Sequence, residues 1–342
     1  MGLPPSPIES ESGSEPLLYE AYPLGGATSW ALPPPRRRTA WQRWGRNLLL
    51  FVLTVLSVFF VGGFRLVEAP GGGHLLGVDY VEGGLLVAGL ISILLAHEMG
   101  HYLVALRYGV DATLPFFIPL PIPGLSLVGT LGAFIRIRSP IPTRKALFDI
   151  GVAGPLAGFV VCLPVLWLGI SQARLIPTDR ADGGIMLGEP LLFQWVTRLV
   201  HGPIPDGVTL TLGSLGLAAW FGLFVTALNL MPIGQLDGGH VTFALLRERA
   251  RRISIVGSWV AVALVYFGPN WILWAVLLRV LGRRHPSTLD DEAPVGRARV
   301  WVGLLALAVF VVCFVPDPIQ FSWREFFDAL GLTRHLPHLT SR

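Results

Sequence analysis

Long apolar runs, separated by shorter polar stretches, follow one another along most of the chain. A helix needs about 20 mainly apolar residues to cross a bilayer, and each run approaches that length once its flanking residues are counted. The pattern therefore predicts an all-α polytopic membrane protein, a helical bundle of about 6–7 transmembrane helices. The runs occupy residues 47–63, 84–106, 146–170, 212–231, 253–281 and 299–315.

The run 253–281 leaves the number of crossings open. Gly268, Pro269 and Asn270 interrupt it at its middle, so it forms either a tight hairpin of two short helices or one broken helix. Arg252 lies at its beginning and Arg283 follows its end. Arginines at both ends favour the hairpin, because basic residues concentrate on the cytoplasmic side of a membrane.

Composition narrows the class of protein further. Hydrophobic residues make up 52% of the 342 residues and charged residues only 14%, whereas soluble proteins carry about 25% charged residues. So little charge excludes a soluble globular protein, a disordered protein and a nucleic-acid binder. The net charge of +4 comes from basic residues at the ends of apolar runs, where they anchor helices in the lipid bilayer. Cys162 and Cys313 lie inside such runs, which argues against a disulfide or a thiolate zinc site.

The positions of the basic residues predict one orientation. Arg43 and Arg46 place the N-terminus in the cytoplasm, and successive crossings put the clusters at 136–145 and 247–252 on the same side. Lys145 is the only lysine among 26 basic residues, which is typical of GC-rich bacterial genomes. We therefore expect an integral multi-pass protein of a bacterial cytoplasmic (inner) membrane.

The segment 110–140 is apolar but is not predicted to be a regular helix. Four prolines between positions 115 and 123 interrupt it, and Gly129–Arg138 has the composition of a strand or hairpin. Non-helical backbone at membrane depth is tolerated only against protein or water. We therefore expect a small re-entrant β element that lines a cavity on the cytoplasmic side. An ordinary cytoplasmic loop is the alternative.

The candidate metal-binding and catalytic residues lie in the motif His97-Glu98-Met99-Gly100-His101, within the second apolar run. On a helix, residues four apart share a face, so His97 and His101 can bind one metal ion together. Zinc suits two imidazoles and one carboxylate and keeps a fourth position open for water. Glu98 is then placed to act as general base on that water. Ionisable groups inside a membrane are costly, which favours function over a hydrogen bond between helices.

A third ligand must come from elsewhere in the chain. Asp237 is the only carboxylate between Asp206 and Glu248, and it follows the fourth apolar run on the side where the second run ends. Pro232 and three nearby glycines break the helix there and let the backbone fold toward a partner. The alternative is that Asp-Gly-Gly is a plain turn.

These two motifs, in this order and on separate membrane helices, resemble those of the site-2 protease family of intramembrane zinc metalloproteases. That family carries H-E-x-x-H on one core helix and an Asn- and Pro-rich stretch ending in Leu-Asp-Gly on a later one. Here the matching residues are His97, Glu98 and His101, then Asn229, Pro232, Leu236, Asp237 and Gly238. The resemblance also covers Phe116–Pro119, Gly129–Ala133 and Gly151–Gly158, and spans roughly residues 84–245.

The resemblance implies a zinc-dependent intramembrane metalloendopeptidase. One Zn²⁺ per chain would be held by His97, His101 and Asp237, with Glu98 as the catalytic base. The implied substrate is a transmembrane protein, cut within or near a membrane-spanning helix after that helix unwinds locally.

The same resemblance suggests where an unwound substrate is held. Asn229 is expected to contact the extended substrate, although a cap on the broken helix would use the same side chain. The predicted strand offers free backbone groups for strand addition, and the expected substrate-binding residues on it are Gly129, Thr130, Leu131 and Gly132.

The expected organisation is that of a compact member of this family. The loop 171–211 is too short for the PDZ domain that some members insert, and little chain follows the last run to form a regulatory domain. The expected regions are a disordered cytoplasmic tail (1–46), a first transmembrane helix and outer loop (47–83), the site-2-protease-like catalytic core (84–245), additional C-terminal transmembrane helices (246–315) and a C-terminal tail (316–342).

Two other functions are alternatives at this point. A membrane metal transporter could use the same ligands as a transit site, and a catalytically inactive relative could act as a scaffold. A transporter needs further polar residues across the membrane, and the runs 47–63 and 299–315 offer almost none. The presence of Glu98 argues against a scaffold, which would not require this carboxylate.

Overall fold

A computed structural model describes residues 22–23, 30–31, 40–68, 74–122, 126–178, 185–269, 271–272, 274–276, 289–290, 292 and 294–320. The chain divides into two units, Met1–Gly45 and Arg46–Arg342. In the first unit, β1 (Tyr22–Pro23) pairs antiparallel with β2 (Trp30–Ala31). Most of the tail that is predicted to be disordered lies outside the described residues.

The described residues are mainly helical, as the apolar runs predict. Three helices are long and apolar enough to cross a membrane, over Trp44–Gly63, Tyr80–Arg107 and Arg144–Ser171, and a shorter apolar helix covers Ser214–Leu230. The helices are α1 (Ala40–Gly63), α2 (Tyr80–Arg107), α3 (Arg144–Ser171), α4 (Leu191–His201), α5 (Ser214–Leu230), α6 (Asp237–Leu246), α7 (Glu248–Leu264) and α8 (Arg297–Cys313).

Capping residues explain why two helices extend beyond their apolar runs. α2 begins four residues early because the carboxylate of Asp79 accepts hydrogen bonds from the backbone N–H groups of Val81 and Glu82. At α3, the hydroxyl of Thr143 accepts from the N–H of Ala146 at 3.2 Å. Such caps satisfy N–H groups that have no partner in the first helical turn.

α3 lies at the centre of the helical packing and contacts α2, α5 and α6. Small residues let these helices approach closely. A Cβ atom on Gly169 would lie 2.5 Å from the backbone nitrogen of Gly216 in α5, and one on Gly100 in α2 would lie 2.5 Å from the carbonyl oxygen of Ala153. Close backbone approach at small residues is the usual way in which membrane helices associate.

Two short hairpins lie in loops for which no strand is predicted. β3 (Phe64–Glu68) pairs with β4 (His74–Val78), and β7 (Arg174–Pro177) pairs with β8 (Val208–Thr211). α4 lies within the second of these loops, 171–211. The pattern of apolar runs predicts segments long enough to cross a bilayer. It does not predict strands of four or five residues.

A third hairpin contains the predicted strand. β6 (Thr130–Phe134) pairs antiparallel with β5 (Phe116–Pro119), which is formed by the proline-rich segment. The pairing continues past both strands, since the N–H of Thr113 donates to Arg136 at 3.0 Å and that of Arg138 donates to Asp111 at 2.8 Å. We refer to residues 111–122 and 126–138 together as the β5–β6 hairpin.

Contacts near the C-terminus show which way α8 runs through the bundle. The indole of Trp271 donates a hydrogen bond to the Pro316 carbonyl, beyond the end of α8, whereas the N–H of Leu289 donates to Ile141, just before α3. α8 therefore begins at the end of the bundle that holds Arg144 and finishes at the other. We call these the arginine-rich end and the opposite end.

An ion pair joins α8 to the core at the arginine-rich end. The guanidinium of Arg299 donates from Nε to Oδ1 of Asp149 at 2.8 Å and from Nη2 to Oδ2 at 2.6 Å. The hydroxyl of Tyr108, just after α2, donates to the same carboxylate at 2.5 Å. Burial, together with the Asp149 carboxylate, raises the pKa of the Tyr108 hydroxyl, which therefore stays protonated as a donor.

We expect Asp149→Ala to lower the free energy of unfolding by about 1–3 kcal/mol, because it deletes three charge-assisted hydrogen bonds, two from Arg299 and one from Tyr108. Thermal unfolding in detergent measures the change. Glu292→Ala is the matched control: that carboxylate pairs with Arg247 at 3.0 Å but is 90% exposed, so little change is expected. Equal losses in the two variants would contradict a stabilising role for the Arg299–Asp149 pair.

Candidate metal centre

The two histidines of the second run lie on one face of α2, one helical turn apart. Their side chains are buried, and the Nε2 atoms of His97 and His101 are 3.2 Å apart. Two imidazole nitrogens that approach this closely inside an apolar bundle form half of a metal site.

Asp237 supplies a third donor atom from a different helix. Its Oδ2 lies 3.4 Å from Nε2 of His97 and 3.3 Å from Nε2 of His101. Among the described residues, these three side chains form a group able to hold a metal ion. The structure thus brings together the three ligands that the sequence predicts, 140 positions apart at their furthest (237 minus 97).

The turn between α5 and α6 delivers Asp237 to this position. α5 ends at Leu230 because Met231 adopts an extended conformation before Pro232, which has no N–H to continue the helix. The turn then folds tightly under α6: a Cβ on Gly238 would lie 2.0 Å from the carbonyl oxygen of Leu230, and one on Gly239 would lie 2.3 Å from that of Gly234. Only glycine fits at these two positions.

The spacing of the donor atoms fits zinc. Zinc–ligand bonds of about 2.0–2.1 Å in tetrahedral geometry place neighbouring donor atoms about 3.3–3.4 Å apart. The three separations here are 3.2, 3.3 and 3.4 Å. Two imidazoles and one carboxylate are also a donor set that zinc accepts at catalytic centres.

A second contact orients His101. Its Nδ1 lies 2.7 Å from the carbonyl oxygen of Ile150 in α3. A carbonyl can only accept, so Nδ1 carries the proton and the lone pair of Nε2 faces the metal position. The sequence contains no signal for this partner, because any residue type can supply a carbonyl.

Glycines of α3 make room for the two imidazoles. A Cβ on Gly154 would lie 2.1 Å from Nε2 of His101, and one on Gly158 would lie 3.1 Å from Cβ of His97. The glycine-rich motif Gly151–Gly158 is visible in the sequence. That its glycines leave space for the two histidine rings is apparent only from the packing of α3 against α2.

The three ligands open onto a cavity of about 270 Å³ at the arginine-rich end. Its polar lining includes Glu98, Asn229, Gln235 and His240. Nδ2 of Asn229 lies 3.3 Å from Nε2 of His97, so this amide points into the centre. The Glu98 carboxyl is buried in the same cavity and interacts with the backbone of Ile135.

One side of the cavity is formed by the β5–β6 hairpin, over Ala133, Phe134, Ile135 and Ile137. The predicted substrate-binding residues Gly129, Thr130, Leu131 and Gly132 precede this stretch and do not line the cavity. Thr130 is buried, and its hydroxyl donates to the Ile118 carbonyl at 2.7 Å within the hairpin.

Among the described residues, no strand pairs with the edge of the β5–β6 hairpin beside the centre. The carbonyl of Arg136 accepts from Thr113 N–H, and its N–H donates to the Thr113 hydroxyl. Both groups therefore face the β5 side. Since successive residues of a strand point their backbone groups in opposite directions, those of Ile135 face Glu98.

Sequence comparison adds an independent finding. A family model described as Peptidase family M50 matches residues 85–267, more than half of the chain and including all three ligands, Glu98 and Asn229. The matched region ends before α8 and begins after α1.

Curated relatives are named as zinc metalloproteases. The chain is 30% identical to "Probable zinc metalloprotease EGY2, chloroplastic" of Arabidopsis thaliana, over 72% of this chain and 44% of that protein. It is 29% identical to "Probable zinc metalloprotease EGY1, chloroplastic" of Oryza sativa subsp. japonica, over 87% of this chain and 54% of that protein. The chain thus spans about half the length of the curated relatives it matches.

Proposed function

Because the chain belongs to peptidase family M50, we propose that it is an intramembrane zinc metalloprotease that hydrolyses a peptide bond within or near a transmembrane helix of a membrane-anchored substrate. The observation that carries this proposal is the convergence of His97, His101 and Asp237 within 3.4 Å of one another. Glu98 lies beside them in a cavity between apolar helices.

Each side chain of the centre has a distinct role. His97, His101 and Asp237 hold the zinc ion, which when bound supplies Lewis acidity to activate water and polarise the scissile carbonyl. The Ile150 carbonyl keeps the proton of His101 on Nδ1. The Glu98 carboxylate takes the proton from the attacking water and passes it to the leaving amine nitrogen.

The unpaired edge of the β5–β6 hairpin suits an unwound substrate. A membrane helix pairs all its amides internally, so its backbone must become extended before water reaches a carbonyl. The N–H of Ile135 interacts with the Glu98 carboxylate, and its carbonyl can accept a hydrogen bond from such an extended segment by strand addition. Asn229, which faces the centre from the other side, can bind a substrate carbonyl. The stretch Gly129–Gly132 would then hold the part of the substrate further from the cut.

The surrounding elements complete this arrangement. The catalytic core is the region 84–245. α1 and the helices after α6 add further membrane crossings, which brings the total for the chain to the 6–7 that the sequence predicts. The arginine-rich end faces the cytoplasm of a bacterial cell, and the N-terminus is cytoplasmic. Water then reaches the zinc position from the cytoplasmic side.

We expect the purified protein to cleave a single-span test substrate in detergent or vesicles, and a chelator to abolish cleavage until zinc is restored. Mass spectrometry of the products locates the cut, which should fall within or next to the apolar segment. Stoichiometric zinc without any cleavage, together with zinc flux across vesicles, would instead indicate a transporter.

A further inference from the structure

One face of α1 is fitted to the back of the β5–β6 hairpin. Nδ2 of Asn47 donates to two consecutive carbonyls at the start of β5, those of Leu114 at 2.7 Å and Pro115 at 3.0 Å. Ten residues further along α1, the hydroxyl of Ser57 donates to the carbonyl of Gly129, beside β6, at 2.5 Å. Both polar side chains are buried, at 8% and 4% exposed.

Apolar contacts fill the space between these two polar ends. The rings of Phe51 and Phe117 meet edge to face with centroids 5.1 Å apart. Gly129 has φ +80° and lies so close to α1 that a Cβ there would be 2.6 Å from the Ser57 carbonyl oxygen. The same Cβ would lie 2.7 Å from the Cα of Val58. Positions 47, 51 and 58 follow helical spacing, so these contacts share one face of α1.

The hairpin depends on such support. A two-stranded sheet alone is marginally stable, and β6 must keep an unpaired edge toward the centre. The register of the β5–β6 pairing also shifts between Phe117 and Pro119. Strand pairing alone therefore does not fix the conformation of the hairpin. The α1 contacts reach both ends of the paired region.

We propose that Asn47 and Ser57 are positioning residues that hold the β5–β6 hairpin in the conformation that accepts the substrate. α1 thereby contributes to substrate affinity although it contributes no residue to the metal centre and lies outside the family-matched region. This inference rests on the proposed strand addition of the substrate at Ile135.

Asn47→Asp and Ser57→Ala test the inference in the full-length, zinc-loaded protein. Asp is isosteric with Asn but donates no bond when ionised and only one when protonated, so at least one of the two bonds to Leu114 and Pro115 is lost. Thr54→Val is the matched control, since the Thr54 hydroxyl is equally buried but donates only to Leu50 of its own helix at 2.8 Å.

Two measurements are needed. Amide hydrogen exchange over 111–120 and 129–138, without substrate, should accelerate at least about tenfold in Asn47→Asp and less in Ser57→Ala, with Thr54→Val unchanged. In steady-state cleavage of the single-span substrate, the same variants should raise KM about tenfold and leave kcat and zinc content nearly unchanged. The reason is that binding of the extended substrate must then also order the strand with which it pairs.

The outcomes separate this inference from the proposed function. Unchanged exchange in both variants overturns it, and so does faster exchange with an unchanged KM. Equal effects in Thr54→Val would also overturn it, because they would indicate general loosening of α1. If the unmodified protein cleaves nothing, the proposed function fails, whereas the exchange measurement still decides whether α1 holds the hairpin.

Discussion

Glu98→Gln is expected to lower kcat for substrate cleavage by about 10²–10⁴-fold, the range attributed to a positioned general acid–base group. The amide has nearly the same shape as the carboxylate but cannot accept a proton from water. Because Glu98 is not a ligand, the variant should retain one zinc per chain. Cleavage of the single-span substrate, normalised to zinc content, measures the effect.

Met99→Leu is the matched control for this variant. Met99 is the next residue on α2 and is only half-buried, and a Met-to-Leu exchange conserves volume. It should cleave at close to the unmodified rate. Cleavage that survives Glu98→Gln at the unmodified rate would eliminate Glu98 as the base and leave the family assignment without its expected chemistry.

Gly154→Ala is expected to weaken zinc binding at least about 100-fold. The added methyl carbon would lie 2.1 Å from Nε2 of His101, well inside contact distance. α3 cannot move away, because it is packed on its other sides against α5 and α6. The imidazole must therefore rotate off the centre, which also breaks its bond to Ile150. Competition with a chelator of known zinc affinity measures the loss directly, without reference to activity.

Gly84→Ala is the control for the general effect of adding a methyl group to a helical glycine. A Cβ there meets no atom within 4 Å, so zinc affinity should be unchanged. If Gly154→Ala bound zinc as tightly as the unmodified protein, the space beside Gly154 would not be needed to hold His101 in place.

Local patterns were sufficient to identify the chemistry. Residues four apart on a helix share a face whatever surrounds them, so His97 and His101 could be paired from their spacing alone. Asp237 was distinguished because carboxylates are scarce in that part of the chain, and helix-breaking residues precede it. The apolar runs likewise predicted the long helices, since bilayer thickness sets their length.

Short elements were not predictable in the same way. The strands of the hairpins β3–β4 and β7–β8 are only four or five residues long, too short for alternation to distinguish them from loop residues. Gly129 and Thr130, two of the predicted substrate-binding residues, also pack against α1 and bond within the hairpin. Their residue types do not reveal these contacts, which depend on where α1 lies.

Residue type and spacing were enough to identify the side chains that could bind zinc and the one that could act as base, because those roles require particular chemical groups at helical spacing. The groups that orient these side chains emerge from the packing of the helices. The Ile150 carbonyl, the space left by Gly154 and the support of the hairpin by Asn47 depend on distances between segments far apart in the chain. A carbonyl group or an empty volume has no residue type of its own, so no sequence pattern can reveal it.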